Sequence, residues 1–217
     1  MTQLVFLSGA GLPEWIWDEV RQILPVDSLV VAYPKGSASL RTYAESALTQ
    51  APQRFTLVAH SAGGVVGSEM CALAPDRVEG FIGVSACLPP AGRSFVQAMP
   101  MPQRAILGLV LRLLGTKPPD KQIREGLCAG VSDDIAARVV ADFAPESRAL
   151  FTDAVSARSF PARSAYLVTE DDREFPAPLQ SRFAAELGGQ VETMRTAHLP
   201  MLEDPAETAK RILGALA

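Results

Sequence analysis

Phe55-Thr56-Leu57-Val58-Ala59-His60-Ser61-Ala62-Gly63-Gly64-Val65-Val66 is the stretch on which the reading of this chain turns. Residues 55–59 are apolar or β-branched and read as a strand buried on both faces, while residues 64–74 have helical character. Between them, Ala59 and Gly63 stand two positions either side of Ser61. A strand that turns at once into a helix needs small residues at those places, because the two backbones approach closely there. The serine at the tip is then held in a strained conformation with its hydroxyl presented. The competing reading is an ordinary helix start capped by Ser61.

A serine hydroxyl is a weak nucleophile unless a base takes its proton, and histidine has the suitable pKa. The chain has only two histidines. His60 lies inside the turn, which should direct its side chain away from the Ser61 hydroxyl. His198 remains, in Thr196-Ala197-His198-Leu199-Pro200-Met201-Leu202-Glu203-Asp204-Pro205, after the last strand candidate and before the last helix candidate. In this architecture the acid lies between nucleophile and base in the chain, and Glu170-Asp171-Asp172 fits that order. Any of the three could accept a hydrogen bond from the imidazole and stabilise the imidazolium. Negative charge on an attacked carbonyl oxygen also needs donors. The backbone amide of Ala62 is one candidate, and that of Ala10, in the Ser8-Gly9-Ala10-Gly11 loop, is the other.

Outward from this centre, apolar runs at 4–7, 29–32, 81–85, 165–168 and 191–194 join 55–59 as strand candidates. Helical patterns at 15–24, 40–50, 64–74, 180–187 and 205–217 separate them. The alternation predicts an α/β fold, a doubly wound and mostly parallel sheet of about six strands. Residues 88–160 break the pattern with helix candidates at 102–114, 121–128, 133–143 and 145–157. Inserted between two parallel strands, they belong above the carboxyl edge of the sheet, where ligands of α/β proteins bind. The expected organisation is a core of residues 1–87 and 161–217 with a helical lid at 88–160, all one domain.

The chain's 217 residues, 48% of them apolar, suffice for a core without metal or disulfide staples. Twenty basic residues among 24 acidic ones, for a net charge of -4, leave no footprint for phosphate backbones, so nucleic acid is not an expected partner. Cys71, Cys87 and Cys128 are an odd number without close spacing and read as buried thiols of a reducing compartment. The apolar run at 105–114 is interrupted by Arg112 and too short to span a membrane, and residues 4–7 are too short for a signal segment. A soluble, cytoplasmic protein with no membrane partner is expected.

With elbow, acid, histidine and glycine loop in that order, the chain resembles the α/β-hydrolase superfamily, in particular its small esterase and hydroxynitrile-lyase-like members. Residues 4–10 followed by Trp15-Ile16-Trp17-Asp18 resemble that family's opening strand, oxyanion loop and aromatic-rich first helix, with Ser8-Gly9 where His-Gly is common. Residues 168–176 resemble its acid loop, which selects Asp172, and residues 198–205 resemble its terminal histidine motif. The resemblance implies an α/β-hydrolase fold and a Ser61, Asp172, His198 triad.

The expected activity is hydrolysis of a carboxylic ester or thioester bearing an apolar acyl or aromatic group, through an acyl-enzyme and without metal or organic cofactor. Leu107, Val110, Leu111 and Leu114 are the candidates for the pocket lining. They could instead pack the lid on the core or on a second copy in a homodimer. A lyase or proton-abstracting enzyme on the same triad is an alternative that a lid lysine, Lys117 or Lys121, would mark. A small-molecule-binding protein without turnover is the third reading.

Overall fold

Successive residues of a strand face opposite sides of a sheet, so a strand apolar at every position needs a core on each side. The computed structural model, which describes residues 3–216, has that arrangement. Strands β1 (Gln3–Leu7), β2 (Ser28–Val30), β3 (Phe55–His60), β4 (Val78–Val84), β5 (Arg163–Thr169) and β6 (Gln190–Met194) form one sheet in the order β2-β1-β3-β4-β5-β6. All neighbouring pairs are parallel. Leu4, Phe6, Val58, Ile82, Val84 and Leu167 enter one core, against α1 (Asp18–Ile23) and α11 (Pro205–Gly214). Val5, Leu7, Leu57, Ala59, Phe81 and Tyr166 enter the other, against α2 (Leu40–Gln50), α3 (Gly63–Leu73) and α9 (Ala177–Leu187). The expected doubly wound α/β fold is present.

The chain places β2 on one side of β1 and then crosses to place β3 on the other. The carboxyl ends of β1 and β3 therefore flank a topological switch point, where open α/β sheets form their ligand crevice. Leu7 pairs with Ala59 there, so the glycine loop and the Ser61 turn leave the sheet side by side.

Helices fill the segment between β4 and β5: α4 (Phe95–Ala98), α5 (Gln103–Leu113), α6 (Asp120–Gln122) running into a π-helical turn (Ile123–Leu127), α7 (Asp133–Asp142) and α8 (Arg148–Thr152). They divide between the two cores. Phe95, Ala98, Leu111, Leu150 and Phe151 join the side of α3, whereas Ile123, Ala136, Val139 and Phe143 join the side of α1.

Several boundaries depart from the sequence reading. The 15–24 helix opens as a 3-10 turn (Glu14–Trp17). The 121–128 helix is a single turn and a π turn, and of 145–157 only α8 is helical. Beyond Thr152 the chain is tied to other helices: Asp153 accepts from the Leu40 N–H of α2, and Glu69 of α3 accepts from the Ser156 N–H and hydroxyl. The terminal 205–217 helix ends at Gly214 and is preceded by the short α10 (Pro200–Glu203); position 217 lies outside the described residues.

Helix α3 lies so close to the strand ends that side chains are excluded from its first turns. A Cβ at Gly64 would stand 2.5 Å from the Cys87 carbonyl oxygen, and one at Gly63 would overlap the Leu7 carbonyl. At Gly108, within α5, the nearest atom to an added Cβ is 3.9 Å away. Gly64→Ala is therefore expected to lower unfolding stability by about 1–3 kcal/mol, and Gly108→Ala to raise it by up to about 1 kcal/mol. Urea unfolding midpoints check both, and a Gly64→Ala midpoint at or above wild type would contradict the close packing.

Candidate active site

Ser61 sits at φ 51 between β3 and α3, in the left-handed region that non-glycine residues seldom occupy. Such a conformation costs roughly 1–3 kcal/mol and persists only where surrounding bonds impose it. Here they do. The Ser61 N–H donates to Ser85 O (3.2 Å), and Ser61 O accepts from Gly64 N (3.0 Å) and Cys87 N (2.9 Å). Ser85, at the end of β4, is itself left-handed at φ 41, and its N–H donates to Leu167 O (3.0 Å). The two turns thus brace each other. Ser61 does not cap α3: that helix starts at Gly63 after Ala62, with no side-chain cap bond. The helix-start reading of the motif is excluded.

The small residues of the motif are explained by what stands beside them. A Cβ on Gly9 would lie 2.9 Å from Ser61 Cβ and 3.1 Å from His60 Nδ1, so the loop after β1 must be glycine to pass the turn.

His198 and Asp172 meet in the interior. The His198 Nδ1–H donates to Asp172 Oδ2 at 2.8 Å, with the imidazole 1% and the carboxylate 0% exposed. The same oxygen accepts from Ser85 Oγ (2.5 Å) and Thr169 Oγ1 (3.1 Å), and Oδ1 accepts from the Glu174 and Phe175 amides (2.8 and 2.9 Å). Burial alone would push the Asp172 pKa upward. The charge of His198, its hydrogen bond, and the donors Ser85 and Phe175 outweigh that and hold the carboxyl well below the usual range. With Nδ1–H committed to the acid, Nε2 of a neutral His198 carries the free lone pair. Asp171, by contrast, is exposed and forms none of these bonds.

The histidine loop has supports of its own. Glu203, in the downstream motif, accepts from the Ala197 N–H (2.9 Å). The Phe175 ring meets the imidazole edge to face at 5.3 Å. His60 makes no hydrogen bond to the serine hydroxyl: its Nε2–H donates to the His198 carbonyl (2.8 Å) while its Nδ1 has no partner. Ser61 Oγ makes no hydrogen bond among the described residues. The Ser61 turn and the His198 loop are linked indirectly, by the His60 bond and by Ser85, whose carbonyl accepts from the Ser61 N–H and whose Oγ is 3.4 Å from His198 Nδ1.

The glycine loop is held from the inserted helices. Gly11, at φ 75, donates to Glu146 Oε1 (3.2 Å), and its carbonyl accepts from Ala144 N (3.0 Å). Tyr43 donates to the other Glu146 oxygen (2.6 Å), and Tyr33 donates to Ser8 O (2.9 Å). Sequence reasoning found neither Ser85 nor this Glu146 clamp. Neither the Ala10 nor the Ala62 amide donates to a protein acceptor among the described residues.

The four candidate lining residues separate. Leu111 is buried in the core with Phe95 and Met99, and Leu107 packs against it. Val110 and Leu114 are 38% and 74% exposed, Val110 on a different face of α5 from that i, i+4 pair and Leu114 at the helix's C-terminal end. Of the two lysines, Lys117 donates to Phe143 O (3.1 Å) and Lys121 lies exposed near Glu125. Neither is placed against Ser61. No helix is long and apolar enough to cross a membrane among the described residues.

A parallel sheet with a strained serine at its switch point and a buried acid–histidine pair beside it defines a hydrolase architecture. The chain belongs to the alpha/beta hydrolase family, whose model matches residues 4–211. No curated protein matches it by sequence. Among solved structures, an extracellular alpha/beta-hydrolase from a Paenibacillus species superposes with TM-score 0.85 at 19% identity, covering 99% of each chain. A polyneuridine aldehyde esterase superposes at 0.78 with 18% identity over 100% of both chains. A pyrethroid hydrolase from Sphingobium faniae JZ-2 gives 0.78 with 20% identity, covering 100% of this chain and 98% of its own.

His60 supplies a pH signature. Burial, joined by the charge of His198, lowers its pKa from 6.5 to about 3 against the opposing pull of the His198 carbonyl and Asp172. Between pH 6.5 and 3 the unfolded chain binds a proton that the folded chain refuses, so stability falls as pH falls. Asp172, whose folded pKa is also depressed, adds its loss only below the unfolded value near 3.8. Wild type is expected to lose on the order of 3 kcal/mol between pH 6.5 and 4, and His60→Gln to lose much less. Urea midpoints across that range test this; parallel slopes in the two proteins would assign the pH dependence elsewhere.

Proposed function

We propose that the protein is a serine hydrolase that cleaves a carboxylic ester or thioester with an apolar acyl or aromatic group through an acyl-enzyme. The observation that carries this reading is the strained backbone of Ser61 in a turn that His60 and Ser85 tie to the buried His198–Asp172 pair. Ser61 Oγ attacks the carbonyl carbon while His198 Nε2 takes its proton, and Asp172 holds the tautomer and stabilises the imidazolium. The Ala10 and Ala62 amides receive the oxyanion; the position of Ala62 before the first turn of α3 adds the positive end of that helix. His198 then returns the proton to the leaving group and activates water for deacylation. Residues 88–160 act as the cover of the crevice, and the esterase and pyrethroid hydrolase among the structural neighbours support an ester substrate. Three free buried cysteines fit a reducing, cytoplasmic setting.

A fluorophosphonate probe should label Ser61, and Ser61→Ala should lose both labelling and turnover while unfolding like wild type. Folded wild-type protein that resists the probe would sink nucleophilic catalysis. Asp172→Asn is expected to lower kcat by roughly 10³–10⁴-fold, and Asp171→Asn to leave it close to wild type. The same measurements across a chain-length series of esters and thioesters give the acyl preference, and the reverse ranking of the two aspartates would move the acid by one position.

A further inference from the structure

A surface helix normally turns one apolar face inward and a polar face to water. Helix α5 turns apolar residues both ways. Leu107 and Leu111 face the core, while Ile106, Leu109 and Leu113, spaced i, i+3, i+7, are 58%, 58% and 68% exposed. Met101 and Leu114, just beyond the two ends of the helix, are 66% and 74% exposed. With Val110, these account for six of the eight large apolar residues exposed among the described ones, so the apolar surface is concentrated rather than scattered.

The charge around the stripe is equally one-sided. Residues 88–119 contain no aspartate or glutamate but carry Arg93, Arg104, Arg112 and Lys117, in a chain whose net charge is -4. Arg93, Arg104 and Arg112 are exposed and make no ion pair or side-chain hydrogen bond among the described residues. Arg112 follows Leu109 by one helical turn and precedes Leu113 directly, so a cation borders the stripe. The neighbouring α4, which packs on α5, has no charged residue.

We propose that the outer face of α5 docks on an anionic lipid surface, with Ile106, Leu109 and Leu113 entering the headgroup boundary and Arg112, at the edge of that face, engaging lipid phosphate. An apolar face edged by a cation, in a segment without acids, suits a helix that lies in a membrane interface. A second copy of the chain fits worse. A two-fold contact centred on α5 would bring its arginines against those of the partner, with no acid in 88–119 to neutralise them. The inference rests on a surface outside the serine site and holds whether or not the proposed reaction does. It departs from the expectation, drawn from the absence of a membrane-spanning segment, that no membrane is involved.

Flotation of the full-length protein with phosphatidylcholine vesicles, with and without phosphatidylglycerol, tests it. Wild type is expected to float with the anionic vesicles, to partition weakly on the neutral ones and to be released by salt. Arg112→Glu should lower anionic partitioning by at least roughly fivefold, the loss of one interfacial cation. Ile106→Ser, Leu109→Ser and Leu113→Ser together should abolish flotation with an unchanged unfolding midpoint. Failure of wild type to float with anionic vesicles, or equal partitioning on both vesicles, would overturn the proposal, and neither result depends on a variant folding. A dimer in light scattering that Leu109→Ser dissociates would also overturn it, by giving the face to a second copy.

Discussion

Everything at the centre of this protein depends on how closely three stretches of backbone pass one another at the carboxyl ends of β1 and β3. Gly9 lies against Ser61 and His60, Gly63 against the carbonyls of Leu7 and Ser8, and Gly64 against Cys87. Each contact excludes a Cβ, and together they fix where the serine can stand. The strain in the Ser61 turn is sustained by bonds to Ser85 and Cys87, which lie on the neighbouring strand end. Ser61 is positioned by backbone geometry first and by side chains second.

The acid–histidine pair is organised differently. Two nearly fully buried groups face each other, and an uncompensated charge there would be costly. Asp172 is compensated by five donors, from His198, Ser85, Thr169, Glu174 and Phe175. His60 solves the opposite problem by remaining neutral, its one donor spent on the His198 carbonyl. The two histidines of the chain therefore divide their work: one is held in place and the other does the holding.

The fold was legible in the sequence because a parallel sheet buried on both sides writes its strands as apolar runs. Legibility fails where that rule does. Strand β4 begins three residues before its apolar run because it includes Glu79 and Gly80, and Gly80 is small to accommodate Thr56 of the adjacent strand. The edge strands β2 and β6 are half exposed, which blurs their ends. At the site, Ser61 and His198 could be chosen by local motif and by elimination. Ser85 could not, because its partner Asp172 lies 87 residues away, and Glu146 reaches Gly11 across 135. Such pairings leave no periodic or local trace. The 145–157 helix is shorter than its pattern predicts for a related reason: Asp153 and Ser156 are fastened to α2 and α3, and those tertiary bonds override helical propensity.

The division of the inserted helices between the two cores bears on how the enzyme could be remodelled. Their apolar faces are sunk on both sides of the sheet, and Glu146 and Ala144 hold the loop beside the nucleophile. Residues 88–160 are thus not an interchangeable cassette: a graft from a relative would have to match two interiors and a loop anchor at once.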